Sequence, residues 1–350
     1  MIKKTIPTGA VRRQLIADLT GKDSYRGVTL TYAWLANQFG HFGLGFIPTA
    51  VICPVLQHYF SAGQAAFWAA TAVSFGWTVF ELCNLLLPLL LSSRKRAGSI
   101  ALKTYTFTPA WGNVVFDTVT DIGFFCAGAF AAGCILGPAK LTGAILVMIA
   151  LLLVMPSRYW YHTKLFLQTA QYPFQFRLSQ WNSSIDDSHK ETIRYFLRDR
   201  SAEKHILVFG GPQSGKTLIS VGMATERSIQ HETCSYTTAN KLYSMCFEPD
   251  NPADQLTSEA LWTWRTASVL VIDDINPDVQ ANNDLVTPDE FLRMLDGKVS
   301  PNPENRELIR NKNVIWVMGN EDSQPALQQR WRNMLLEIGV ADKNILYVML

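Results

Sequence analysis

Two short stretches of the chain carry residue types spaced for phosphate chemistry. The first, "GGPQSGKT" from Gly210 to Thr217, satisfies the pattern G-x-x-x-x-G-K-[ST]. Gly210 and Gly215 permit a tight turn, and successive backbone N–H groups can cradle phosphate oxygens. Lys216 reaches the terminal phosphates and the Thr217 hydroxyl ligates Mg²⁺. The expected nucleotide-binding residues are therefore Gly210, Gly211, Pro212, Gln213, Ser214, Gly215, Lys216, Thr217 and Leu218. The second stretch is "SVLVIDDIN", an apolar run that ends in two acids. Asp273 is expected to hold Mg²⁺ through its water shell, beside Thr217, and Asp274 to orient the attacking water.

These groups need a scaffold that brings them together. "HILVFGG", from His205 to Gly211, is short and apolar, as a buried strand is, and runs directly into the glycine loop. "LISVGMATERSI" continues as a helix whose positive N-terminal end faces the anion. "TCSYTT" with "ANKLYSMC", "NVIWVMGN", "PALQQRWRNMLLEIGV" and "NILYVML" supply further strands and helices. A parallel sheet delivers acids to the crevice at its carboxyl edge, where a phosphate loop also lies. The order along the chain places the acid-bearing strand centrally, between the loop strand and the strand ending in Asn320. Trp262 and Trp264 alternate onto one face and read as packing. A leading helix is expected after "SSIDD", with Ser184 and Asp187 at capping-box spacing and Ile193, Phe196 and Leu197 on its apolar face.

With these residues assembled, positions 187–350 resemble the AAA+ class of P-loop ATPases, nearest in layout to the helicase-loader and transposition-helper branch. The resemblance rests on the leading helix, "GGPQSGKT" as Walker A, "VLVIDD" as Walker B and Asn320 in the place of sensor 1. It implies ATP as nucleotide, Mg²⁺ as its metal, and Lys216, Asp274, Asn320 and Arg330 as catalytic residues. Arg330 would be the finger that reaches a neighbour's γ-phosphate, with Arg332 the competing candidate and a surface ion pair the plain alternative for both. Two departures accompany it. The chain reaches Leu350 without a helical lid, and Asp274 stands where many hydrolysing members carry Glu; both imply weak or partner-dependent turnover.

The first half of the chain is of a different kind. Residues 1–158 hold twelve basic and five acidic side chains, a net +7, against nineteen and twenty-four, a net −5, in the rest; together they make the overall +2. Four apolar runs are comparable with the roughly 20 residues needed to cross about 30 Å of hydrocarbon. They cover Tyr32 to Leu56, Ala65 to Leu91, Trp111 to Leu136 and Leu141 to Pro156, the first being the weakest because Asn37, Gln38 and His41 lie within it and Pro48 and Pro54 interrupt it. Basic residues precede the first run, fill "SSRKR" between the second and third, and follow the fourth, while the connections after the first and third are nearly uncharged. The positive-inside rule then places both termini in the cytosol of a bacterial-type inner membrane. Glu81, Asp117 and Asp121 fall within the runs, on the side of the basic loop, with which they are expected to pair; the sharper reading is an ion path. The six cysteines form no CxxC pair and read as small buried groups rather than disulfides or zinc ligands.

The expected fold class is an α-helical membrane domain plus an α/β three-layer P-loop NTPase domain with a parallel sheet. Its expected divisions are a basic N-terminal segment at 1–28, four spans within 29–157, an aromatic and basic juxtamembrane linker at 158–184, and the NTPase-like domain at 185–350. The favoured function is a membrane-anchored oligomeric ATPase or ATP-controlled switch acting on a protein client. A nucleotide-gated channel or transporter and a membrane-tethered DNA-handling ATPase remain alternatives. Expected partners are membrane lipid, further copies of the chain and an unidentified protein client. The net −5 of the second half argues against nucleic acid, although a local basic patch would suffice to bind it.

Overall fold

In the computed structural model, residues 6–19, 30–93, 106–138, 140–201, 203–247, 261–275, 286–297, 301–318 and 325–350 are described. They fall into two compact units: one of residues 16–105 and 109–164, the other of residues 1–15, 106–108 and 165–350.

The first unit is built from helices α2 (Leu30–Leu56), α3 (Ala62–Ser93), α4 (Trp111–Leu136) and most of α5 (Lys140–Thr169), which follow α1 (Thr8–Leu19). Each of α2 to α5 is long and apolar enough to cross a membrane. Their outward faces are apolar too, with Phe39, Ile47, Phe75, Ile135, Leu151 and Met155 all exposed. In water this surface would be costly; in lipid it is the ordinary solvent-facing surface of a span.

Helix α2 is continuous through both prolines. Pro48 has no N–H to offer the carbonyl of Leu44, one turn earlier. The Trp77 indole of α3 donates to that oxygen instead, at 2.9 Å, so the apolar setting leaves no orphaned acceptor there. Helix α4 is the hub of the unit. A Cβ placed on Gly45 of α2 would lie 1.9 Å from the Phe125 carbonyl oxygen of α4, and one on Gly128 of α4 would lie 1.9 Å from that of Phe42. Only glycine at both positions lets the two backbones touch, as small residues do where membrane helices cross. The acid Asp121 of α4 meets His41 and Gln38 of α2. The basic loop at 94–105, expected as its partner, lies outside the described residues. Cys83 is exposed, unlike the buried Cys53 and Cys234.

The second unit holds α6 (Asp187–Arg198), β1 (His205–Phe209), α7 (Lys216–Ile229), β2 (Cys234–Thr238), α8 (Ala239–Phe247), β3 (Val269–Asp273), α9 (Pro288–Asp296), α10 (Pro303–Arg310), β4 (Asn313–Val317), α11 (Pro325–Glu337) and β5 (Ile345–Met349). The five strands form one parallel sheet in the order β2-β3-β4-β1-β5. Strands β1, β3 and β4 are buried throughout. Their alternate residues feed two cores. Ile206, Val208, Val269, Val271, Ile315 and Val317 pack with Ile193 and Phe196 of α6 and Ile219 and Met223 of α7. Leu207, Phe209, Leu270, Ile272, Val314 and Trp316 pack with α8 to α11 on the opposite face. Period-two alternation with apolar residues in both phases is what a sheet covered on both sides requires, and the result is three layers.

Three sequence expectations change. The acid-bearing strand β3 is not between the loop strand and the third strand; β4 takes that place, because sheet order is set by crossovers that local periodicity does not encode. The N-cap of α6 is Asp186, so Ser184 and Asp187 form no capping box. Trp262 and Trp264 are both buried in packing but do not share one face, since they belong to separate clusters. The aromatic stretch before 185 also supplies core: Leu178, Trp181 and Ile185 are buried with α6 and α7.

Candidate functional site

The site forms at the carboxyl edge of the sheet, where β1 and β3 end on either side of β4. Strand β1 runs into the loop 210–215 and straight on into α7, whose first residue is Lys216. The loop turns sharply. Gln213 and Gly215 have positive φ values of 60° and 90°, and Gly215 is the N-cap of the helix. A Cβ on Gly215 would meet the Trp181 ring at 2.8 Å, so glycine is needed there both for backbone angle and for close packing.

Lys216 arches back over the loop and donates to the carbonyl oxygens of Gly210 and Gly211 at 2.6 and 2.8 Å. Burial lowers its pKa from the ordinary lysine value, while the Asp273 charge opposes that shift. The Ser214 hydroxyl is buried without a hydrogen-bond partner. The first turn of α7 presents backbone N–H groups that have no acceptor inside the helix. A buried hydroxyl, orphan N–H donors and a lysine on one loop are the donor types that a multiply charged oxyanion would need.

The second half of the site is the end of β3. Thr217 Oγ1 donates to Asp273 Oδ1 at 3.2 Å, joining motifs 56 residues apart. The Asp274 backbone N–H donates to the same oxygen at 2.8 Å. Tyr236 of β2 donates from its hydroxyl to Asp273 Oδ2 at 2.7 Å. Both oxygens of this buried carboxylate are thus oriented by named donors. Asp274 itself has a φ of 54°, unusual for a residue with a Cβ, and is exposed. Loss of part of its hydration, followed by the neighbouring Asp273 charge, raises the pKa of its carboxyl. No protein-family model matches this chain, and no curated protein is significantly similar to it.

The structure therefore brings the loop residues 210–218, Asp273 and Asp274 to one place. Asn320 lies outside the described residues; β4, which precedes it, ends between β1 and β3. Arg330 is on α11, half-exposed and 3.6 Å from Asp289, and none of the described contacts joins it to the loop. Arg332 is committed elsewhere, donating from Nε and Nη2 to the two carboxylate oxygens of Asp342 at 2.9 and 2.8 Å. Sequence reasoning missed Tyr236 and Trp181. Tyr236 stands in a strand without a motif, and only the pairing of β2 with β3 carries it alongside Asp273. For Trp181 the signal was an aromatic run with a headgroup-like composition, which a core uses equally well.

Proposed function

We propose that this chain is a membrane-anchored P-loop ATPase, or ATP-controlled switch, of the AAA+ kind, acting on a protein client at the cytosolic face of a bacterial-type inner membrane. The observation that carries the reading is the 3.2 Å contact between Thr217 and Asp273, because it joins the two motifs that a Mg²⁺-nucleotide site needs from separate elements. Random occurrence of the loop pattern would not also deliver an acid to its threonine.

The residues fit ATP and Mg²⁺. Lys216, now on two loop carbonyls, would exchange them for phosphate oxygens, with the N–H groups of the first turn of α7 beside it. Thr217 and Asp273 would hold Mg²⁺, which when bound supplies charge neutralisation on the phosphates. Asp274, with its pKa raised, is the group to orient and accept a proton from the attacking water. Asn320 follows the strand that ends between these groups and is proposed as a contact to the terminal phosphate. Arg330 is exposed and weakly paired, and none of its described contacts is to the loop of its own chain, which suits a finger given to a neighbouring copy. Arg332 is tied down by Asp342 and is the weaker candidate.

Turnover by the full-length chain in lipid nanodiscs, followed against protein concentration, tests the reading. Specific activity that rises with concentration and is lost in Arg330→Ala supports an oligomeric ATPase. Failure to bind any nucleoside triphosphate would overturn it.

A further inference from the structure

The membrane-capable unit contains a polar cluster that phosphate chemistry does not use. Gln38 and His41 lie one turn apart on α2, and both meet Asp121 of α4. Gln38 Nε2 donates to Asp121 Oδ1 at 3.3 Å. His41 Nδ1 lies 3.0 Å from the same oxygen, near enough for an ion pair. The His41 ring lies tilted against Phe125 with centroids 4.7 Å apart, and the Trp77 ring stacks on Phe125 at 4.5 Å. Glu81 of α3 is within electrostatic range of His41 and Asp121, and Asp117, one turn from Asp121 on α4, is within range of His41.

Asp121 stands about 15 Å along α4, well inside a span rather than at its end. None of the spans Trp34–Leu56, Ala62–Leu86 and Trp111–Leu136 carries a lysine or arginine. Ionised acids at that depth need a counter-charge, and within these three spans His41 is the basic side chain that meets Asp121. A second observation points the same way. Gln38 is 4% exposed, its amide is already placed against Asp121, and its Oε1 has no hydrogen-bond partner. An ionised carboxylate is an acceptor only and offers this oxygen nothing; a protonated carboxyl has an O–H to donate. A proton added to Asp121 would supply a donor of the kind that this oxygen lacks among the described residues.

We propose that Gln38, His41 and Asp121 form a reversible proton-binding site inside the membrane unit, with Glu81 as the neighbouring acid. The proton comes from bulk water and is held by the His41–Asp121 pair; no other bond forms or breaks. The site stands independently of the nucleotide reading.

pH-difference infrared spectroscopy of the full-length chain in lipid nanodiscs tests it. A carboxylic-acid band is expected that Asp121→Asn removes and Glu81→Gln retains. His41→Gln is expected to shift the midpoint of this band about tenfold in proton concentration, because the ring beside the carboxyl is lost. Isotopic labelling of aspartate carboxyls in the unsubstituted protein should shift the band, so the outcome does not depend on a variant folding. Identical spectra for the parent and Asp121→Asn, a band that labelling leaves in place, or a midpoint unmoved by His41→Gln would each overturn the proposal.

Discussion

The Tyr236 hydroxyl donates to Asp273 Oδ2 at 2.7 Å, while Thr217 holds the other oxygen of the same carboxylate. Burial, with the hydrogen bond and charge of Asp273 next, raises the phenol's pKa well above its ordinary value, so it stays a donor across the physiological range. Removing the donor while keeping the ring should loosen the carboxylate. Tyr236→Phe is expected to raise the Mg²⁺ concentration for half-maximal nucleotide binding by about tenfold, the worth of one hydrogen bond to a charged group. Nucleotide affinity without Mg²⁺ should not change. Titrating Mg²⁺ against a fluorescent nucleotide checks both halves.

Lys216 and Asp274 should separate binding from turnover. Lys216→Ala removes the cation that sits over the loop and is expected to abolish nucleotide binding. Asp274→Asn should preserve binding and stop hydrolysis. Equilibrium binding and phosphate release on the same samples decide, and normal turnover in the asparagine variant would remove Asp274 from the catalytic role.

The two arginines of α11 should differ. Arg330→Ala is expected to keep nucleotide affinity and lose the concentration-dependent part of turnover. Arg332→Ala breaks the pair with Asp342 on the surface and should leave stability nearly unchanged, with assembly-dependent turnover intact. The reverse pattern would exchange their roles.

His205 predicts an acid limit to the α/β unit. It is fully buried in β1, its Nδ1 accepts from the Trp316 indole at 3.2 Å, and burial pushes its pKa down to about 3 from 6.5. The unfolded chain takes up a proton near pH 6.5, whereas the folded chain resists until about pH 3. Its contribution to stability is therefore present above pH 6.5 and is lost as pH falls toward 3, at about 1.4 kcal/mol per pH unit. Hydrogen-exchange protection of β1 amides, corrected for intrinsic rates, should follow this slope. His205→Gln should flatten it.

The crossing of α2 and α4 makes a steric prediction. Gly45→Ala and Gly128→Ala each drive a methyl into a backbone carbonyl, which cannot swing aside as a side chain can. Both should lower the thermal stability of the helical unit in detergent by several kcal/mol's equivalent, on the order of an overpacked core. Gly76→Ala on α3 meets nothing within 4 Å and should be neutral or gain about 0.5–1 kcal/mol from helix propensity.

Much of this molecule was legible residue by residue. Strands β1, β3 and β4 are short apolar runs, and Gly210, Gly215, Lys216 and Thr217 announce their loop by spacing alone. The four long helices are equally plain, since span length and the absence of charge are local properties. Pro48 was misread as an interruption because its effect depends on Trp77, a residue on another helix that takes over the carbonyl the proline leaves. The basic loop expected beside Asp121 lies outside the described residues, whereas the contact of Asp121 with His41 is one that only the packing of α2 on α4 supplies.

By itself, then, the sequence determined the elements, their amphipathic faces and the residue types at the phosphate loop, because propensity, periodicity and turn chemistry act over a few residues. Tertiary structure decided the relationships. It set β4 between β1 and β3, carried Tyr236 to Asp273 through the pairing of β2 with β3, and brought Gln38, His41 and Asp121 together where two glycines let helices touch. Those outcomes depend on crossovers and on close backbone contact between distant segments, and no local pattern records them.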